Sequence, residues 1–309
     1  MISNSLNVLL LLLMSLFTAS SVRGLSANNN MKRVLVTGGN KGIGRAICAE
    51  LLSKNPDVYV LLGSRDGGRG AKTVEELKAS IKGSEGRIEC VELDVSSEKS
   101  VTDAAETLSK LGEGCLYGIV NNAGVYGDTY EESINVNYFG TRRVNEAFGK
   151  YIQKPGGRVV NIASASGPMY VASCGDRKLR SLLADPSTIS GGVQELDGIA
   201  KSYLDKKDYG GDSYGLSKAL VNAYTVIHAK SEPDLIINSC TPGFINTDMT
   251  RNAGMGATNP PVKGTISPLH CLMSEDISKV PTGRYYGSDA VRSPLDRYRG
   301  PGDPPFEGP

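Results

Sequence analysis

The sequence predicts a single α/β domain built on a doubly wound parallel sheet, and three observations carry that prediction. From Lys32 onward, short apolar runs alternate with segments of helical period. Runs such as VLVTG and GIVNNAG are continuous rather than alternating, as strands covered on both faces must be. The first run leads straight into a glycine-rich turn that opens a helix.

The elements follow in order. Strands are predicted over Arg33–Thr37, Val58–Leu62, Arg87–Leu93, Leu116–Asn121, Arg158–Ala163 and Leu235–Ser239. Helical patterns fall between them, over Ile43–Lys54, Gly70–Lys82, Glu98–Leu111, Glu132–Ile152 and Tyr214–Lys230. Strand and helix in strict alternation build a parallel sheet with helices on both faces. Residues 168–212 break the rhythm with a long insertion, helical over Val193–Tyr203, where αβ connections are usually a handful of residues. The Pro/Gly-rich tail, 293–309, predicts a flexible segment without packed structure. The domain therefore spans 31–292.

Ahead of the domain, residues 1–30 contain an apolar run from Val8 to Phe17 followed by small residues. That run is too short for a membrane span and fits a signal-peptide core, directing the chain to the secretory pathway or an organelle. MISNSLN carries no Lys or Arg, however, and Met31 opens MKRVLVTGG, an alternative start that would give a cytoplasmic form.

Composition narrows the function. A net charge of +1 with no basic cluster excludes a nucleic-acid binder. The six cysteines form no C-x-x-C pair and only His228 and His270 are histidines, so no metal site is expected. Several cysteines fall in apolar patterns as buried thiols; Cys240, just before a candidate site loop, is a candidate for reactivity.

Thr37–Gly44 reads TGGNKGIG. Gly38 allows the tight reversal, Gly42 lets backbone approach a pyrophosphate, and Gly44 lets helix and strand pack closely. The helix amino end then turns free N–H groups toward phosphate. The second strand ends Gly63-Ser64-Arg65-Asp66. A site for NAD calls for an acidic residue here, whereas Arg65, with Lys41 as a second cation, suits the 2′-phosphate of NADPH. Asp66 stands one residue later, and Arg65 is equally readable as a solvated loop cation. Asp94-Val95 ends the third strand, where a carboxylate could bond the adenine amine, and Asn121-Asn122-Ala123-Gly124 ends the fourth. These fall along the carboxyl edge of the sheet, where open α/β sheets bind ligands.

TGGNKGIG, NNAG, Asn137 in NVNYFGT, Ser164 in VVNIASASG, Tyr214-x-x-x-Lys218 in SYGLSK, and Pro242-Gly243 in CTPGFINTDM together resemble the short-chain dehydrogenase/reductase family, over Met31 to about Arg292. The resemblance implies a Rossmann fold and an NADP(H) site. That site draws on Gly38, Asn40, Lys41, Gly42, Ile43, Gly44, Arg65, Asp94, Val95, Asn121, Ala123, Gly124, Tyr214, Lys218, Pro242, Gly243, Ile245 and Thr247. About 50 residues separate Ser164 from Tyr214, a spacing that resembles the carbonyl reductase branch. Its members are typically monomers, because the insertion covers a helix face that others use to oligomerise.

Reducing a carbonyl needs a hydride on carbon and a proton on oxygen. A free phenol, with its pKa near 10, is a poor acid–base catalyst at neutral pH. A lysine at i+4 on the same helix face can draw it down. Tyr214 is thus the expected proton donor and Lys218 its tuning cation, which the resemblance also places on the nicotinamide ribose. Ser164 would steady the carbonyl oxygen, and the resemblance gives Asn137 a place in a water-linked relay. Tyr203–Lys207 repeats the Y-x-x-x-K spacing, but the charged, glycine-containing turn KKDYGGD follows at once and ends any helix there. Met169, Tyr170, Phe244 and Ile245 are the expected pocket wall, suited to small hydrophobic aldehydes, ketones or quinones. Two other readings share these motifs: a dedicated dehydrogenase of a terpenoid, alkaloid or steroid-like metabolite, and a non-enzymatic NADP-binding regulator.

Overall fold

The computed structural model describes residues 31–206 and 212–308. The leader expected over 1–30 and Lys207 of the second Y-x-x-x-K lie outside the described residues.

Seven parallel strands form one sheet in the order β3-β2-β1-β4-β5-β6-β7. They are β1 (Lys32–Val36), β2 (Val58–Ser64), β3 (Ile88–Glu92), β4 (Gly118–Asn121), β5 (Arg158–Ile162), β6 (Ile236–Cys240) and β7 (Tyr285–Tyr286). The order reverses between β1 and β4, which opens a crevice at the carboxyl ends of those two strands. β7 is two residues long, too short to carry a periodic signal.

Each strand feeds both faces. Val34 and Val36 pack with Ile47, Leu51 and Leu272 on one side. Leu35, one residue between them, packs with Leu108, Val144 and Phe148 on the other. The helices are α1 (Gly42–Lys54), α2 (Gly67–Ser80), α3 (Glu98–Thr107), α4 (Tyr130–Ser133), α5 (Gly140–Phe148), α6 (Ser166–Ser173), α7 (Arg177–Ala184), α8 (Gly192–Lys201), α9 (Asp212–Ser231), α10 (Asp248–Asn252) and α11 (Ile266–Met273). The helix expected over Glu132–Ile152 is interrupted by a π-helical turn at Ile134–Phe139, which contains Asn137. Such wide turns recur at functional sites. None of the described helices is long and apolar enough to cross a membrane.

The insertion packs against α9. Leu179, Leu183, Ile189, Leu196 and Ala200 bury themselves with Leu216, Leu220 and Tyr224 of that helix. Asp197 fastens it, accepting a 2.8 Å hydrogen bond from the Tyr138 hydroxyl and pairing with Arg142.

The tail differs from its expected unpacked state. Ser293 N–H donates to the Tyr285 carbonyl (2.9 Å). The Arg299 guanidinium, 9% exposed, bonds both Asp289 oxygens (3.0 and 2.8 Å) and the carbonyls of Asp303 and Pro304. Proline and glycine exclude helix and ladder there, but one arginine satisfies the carbonyls that regular structure would have used.

Candidate active site

The glycine turn is built as its spacing requires. Gly38 and Gly42 sit at φ +63° and +54°, the left-handed region. A Cβ on Gly44 would lie 2.3 Å from the Gly38 carbonyl oxygen, so only glycine lets α1 close on the turn. Thr37 Oγ1 accepts the N–H groups of Asn122 (3.0 Å) and Ala123 (2.9 Å), tying the ends of β1 and β4 together across the crevice. The result is a bare-backbone cradle at a helix amino end that fits a dinucleotide phosphate.

At the end of β2 the structure separates Arg65 from Asp66. Asp66 caps α2, accepting from Arg69 N (2.9 Å) and Nε (2.7 Å), and those bonds hold its carboxyl below the usual range. Arg65 is exposed, and its side chain has no partner among the described residues. Lys41, the expected second cation, pairs with Asp248 of α10 at 2.9 Å in a solvent-exposed contact. Asp94 closes a turn by accepting from Ser96 N (2.9 Å) and Oγ (2.6 Å), and Val95 is buried against Gly140.

Asn121 ends β4. Its side chain is buried and donates to Asn145 Oδ1 (2.8 Å) and Asn161 Oδ1 (2.9 Å), because the strand alternation turns it into the body. Ile245 is no pocket wall: it is 3% exposed, packed with Ile43 and Pro242 around Gly264. Asn40 offers its carbonyl to Thr73 Oγ1 (3.1 Å), and Thr247 begins α10 beside Gly42. Gly243, at φ +88°, turns the chain after Pro242, and its N–H donates to Thr241 Oγ1 (3.2 Å).

Ser164 and Tyr214, from the end of β5 and the first turn of α9, share a hydrogen bond between their side chains. Lys218, one turn further along α9, places Nζ 5.6 Å from the Tyr214 ring centroid and donates to the Ile162 carbonyl at 2.9 Å. Gly124 completes the contact between cradle and cluster, since a Cβ there would lie 3.4 Å from Lys218 Nζ and 3.0 Å from Asn137 Oδ1. Met169 and Phe244 stand at 54% and 52% exposure, while Tyr170 spends its hydroxyl on Tyr203 of the insertion.

The electrostatics differ from a simple lowering of the phenol. Burial pushes Tyr214 above its ordinary value, outweighing the hydrogen bond from Ser164. Burial also pushes the Lys218 ammonium down to about 8. The phenol thus holds its proton at neutral pH, and most of the lysine is charged. Because the folded value for Lys218 lies below 10.5, the penalty for burying it is full below about pH 8 and fades as the pH rises toward 10.5. That penalty is on the order of 3 kcal/mol, against about 1–3 kcal/mol for stripping the Ile162 carbonyl of its donor. Lys218→Met is expected to melt no lower than wild type near pH 7 and to lose that margin near pH 10, while turnover disappears. Thermal melts at the two pH values check it.

Three participants lie within or beside the motifs without being among the expected site residues. The Tyr126 ring lies against Tyr214 with centroids 5.0 Å apart. Ser217 accepts from Asn137 Nδ2 at 2.9 Å. Thr241 accepts from both Ala165 N and Gly243 N, joining the Ser164 turn to the Pro-Gly turn. Tyr126 sits two residues past NNAG and Ser217 one before Lys218, so proximity to motifs was the only signal. Cys240 is fully buried with its thiol against Cys271, which removes it as a reactive group.

A parallel sheet whose switch-point cradle adjoins a half-buried, proton-holding tyrosine is the arrangement of a nicotinamide-dependent oxidoreductase. Relatedness gives the same class: residues 32–175 match the model described as short chain dehydrogenase, and the chain belongs to the short-chain dehydrogenase/reductase family. It is 30% identical over 303 residues to (+)-neomenthol dehydrogenase of Arabidopsis thaliana, covering 86% of this chain and 99% of that one. It is 31% identical over 280 residues to carbonyl reductase [NADPH] 1 of Homo sapiens, covering 83% and 96%. The solved structure of salutaridine reductase from Papaver somniferum superposes with a TM-score of 0.70 at 25% identity, covering 83% of this chain and 99% of that one.

Proposed function

We propose that the chain is an NADPH-dependent carbonyl reductase that converts hydrophobic aldehydes, ketones or quinones to alcohols. One observation carries the reading: Tyr214 and Ser164 meet at a shared hydrogen bond, beside a buried ammonium and at the edge of the glycine cradle. Bound in the cradle, the reduced nicotinamide supplies the hydride. Ser164 orients the carbonyl oxygen and Tyr214 delivers its proton to that oxygen as charge develops there. The phenolate left behind is stabilised by Lys218 and by the Ser164 hydroxyl.

The choice of NADPH rests on Arg65, free at the end of β2, and on Asp66, whose carboxylate is engaged by Arg69. The printed name of the human relative, carbonyl reductase [NADPH] 1, supports it. Exposed Met169 and Phe244 favour a substrate with an apolar body. The insertion that covers α9 supports a monomer. A dedicated metabolite dehydrogenase is a second reading, favoured by the neomenthol dehydrogenase and salutaridine reductase relatives.

The test is NADPH oxidation by the purified chain against quinones, aromatic aldehydes and aliphatic ketones. Turnover with at least one class, and faster with NADPH than NADH, is expected. Tight NADPH binding without turnover on any of them would replace the enzyme reading with a nucleotide-binding regulator.

A further inference from the structure

Tyr214 is the third residue of α9, in the first turn of the helix. Its side chain is half-buried rather than fully enclosed. Its phenol nevertheless has to aim one O–H at one oxygen atom, and a misplacement of about 1 Å at a reacting centre can cost on the order of 10²-fold in rate. Something beyond the helix has to hold the ring.

The ring of Tyr126 supplies that support, tilted 39° against the Tyr214 ring at 5.0 Å between centroids. Tyr126 is itself held through its neighbour. Val125 N–H donates to Asn137 Oδ1 at 2.8 Å, and Asn137 Nδ2 donates back to the Val125 carbonyl at 2.9 Å. The same amide donates to Ser217 Oγ at 2.9 Å, and Ser217 Oγ donates to the Tyr214 carbonyl at 2.8 Å. Asn137 and Ser217 are buried at 1% and 0% exposure, so water does not compete for these bonds. A closed circuit results, running from the Tyr214 backbone through Ser217, Asn137 and Val125 to the Tyr126 ring and back to the Tyr214 ring.

We propose that Tyr126 is a positioning residue, whose ring fixes the direction of the Tyr214 O–H through contact rather than through its own hydroxyl. This rests on the reading of Tyr214 as the proton donor. It also gives the Asn137 side chain a bracing duty: its oxygen and its nitrogen are both engaged in the circuit.

Three variants test the proposal, Tyr126→Ala, Tyr126→Leu and Tyr126→Phe, with Tyr214→Phe as control. Alanine and leucine are expected to lower kcat by about tenfold or more while leaving the Kd for NADPH unchanged. Phenylalanine, which keeps the ring, is expected to restore kcat. The alkaline limb of kcat should also move to lower pH in the first two, because a phenol opened to water loses the burial that holds its proton. Full kcat in the alanine and leucine variants would overturn the proposal. So would a failure of phenylalanine to rescue, or a loss of kcat accompanied by an equal loss of NADPH binding and an unmoved pH limb. If Tyr214→Phe itself keeps wild-type turnover, the functional reading fails; if it is inactive while Tyr126→Ala is not, only this inference does.

Discussion

Tyr214→Phe is expected to lower kcat by about 10²- to 10⁴-fold, the usual contribution of a positioned general acid. The substitution removes one oxygen atom and keeps the ring, so its contact with Tyr126 and the start of α9 survive. Ser164 loses its partner but retains bonds with Ser166, from Oγ to Oγ at 3.3 Å and from Ser166 N at 3.2 Å. NADPH binding should therefore change little, and the loss should appear in kcat rather than in Kd. Steady-state kinetics alongside fluorescence titration of NADPH separate the two quantities. A variant that keeps more than a tenth of the wild-type rate would show that some other group donates the proton.

The second large effect concerns cofactor choice. A charge-assisted hydrogen bond is worth roughly 1.5–3 kcal/mol, and an aspartate in place of Arg65 would both remove it and repel a phosphate. Arg65→Asp is expected to lower the ratio of kcat/KM for NADPH over NADH by about 10²-fold. Arg65 is exposed at a strand end and has no hydrogen-bond or ion-pair partner among the described residues, so the melting temperature should stay where it is. An unchanged ratio would mean that the 2′-phosphate is met elsewhere, or not at all.

What the sequence revealed and what it hid have physical causes. The central strands announce themselves because burial on both faces makes them continuously apolar, as in Val58–Ser64, where every residue is buried. The glycine cradle is legible because left-handed backbone at Gly38 and Gly42 and a lack of clearance at Gly44 favour glycine there. Tyr214 and Lys218 are legible because one helical turn fixes their spacing.

The direction of the Asn121 side chain was not legible, because a strand end offers two faces and composition does not say which one a polar side chain takes. Here the inward face already held Asn161 and Asn145 to receive it. The π-helical turn around Asn137 was hidden inside an unbroken helical pattern, since one extra residue per turn barely shifts the hydrophobic period. The tail misled for the opposite reason: composition registers the missing helix and strand but not an Arg299 that gathers carbonyls from its own loop. Tyr126 was invisible because its role depends on a ring contact across 88 residues of chain.

The most direct measurement follows the hydrogen atoms themselves. NADPH deuterated at the transferred position is mixed with the chain and an aromatic aldehyde, and the alcohol is examined by mass spectrometry. One deuterium on the carbinol carbon for each NADPH consumed, with product formation nearly abolished in Tyr214→Phe, is the expected result. Labelled alcohol formed at the wild-type rate by Tyr214→Phe, or no alcohol from a wild-type chain that binds NADPH, would contradict it.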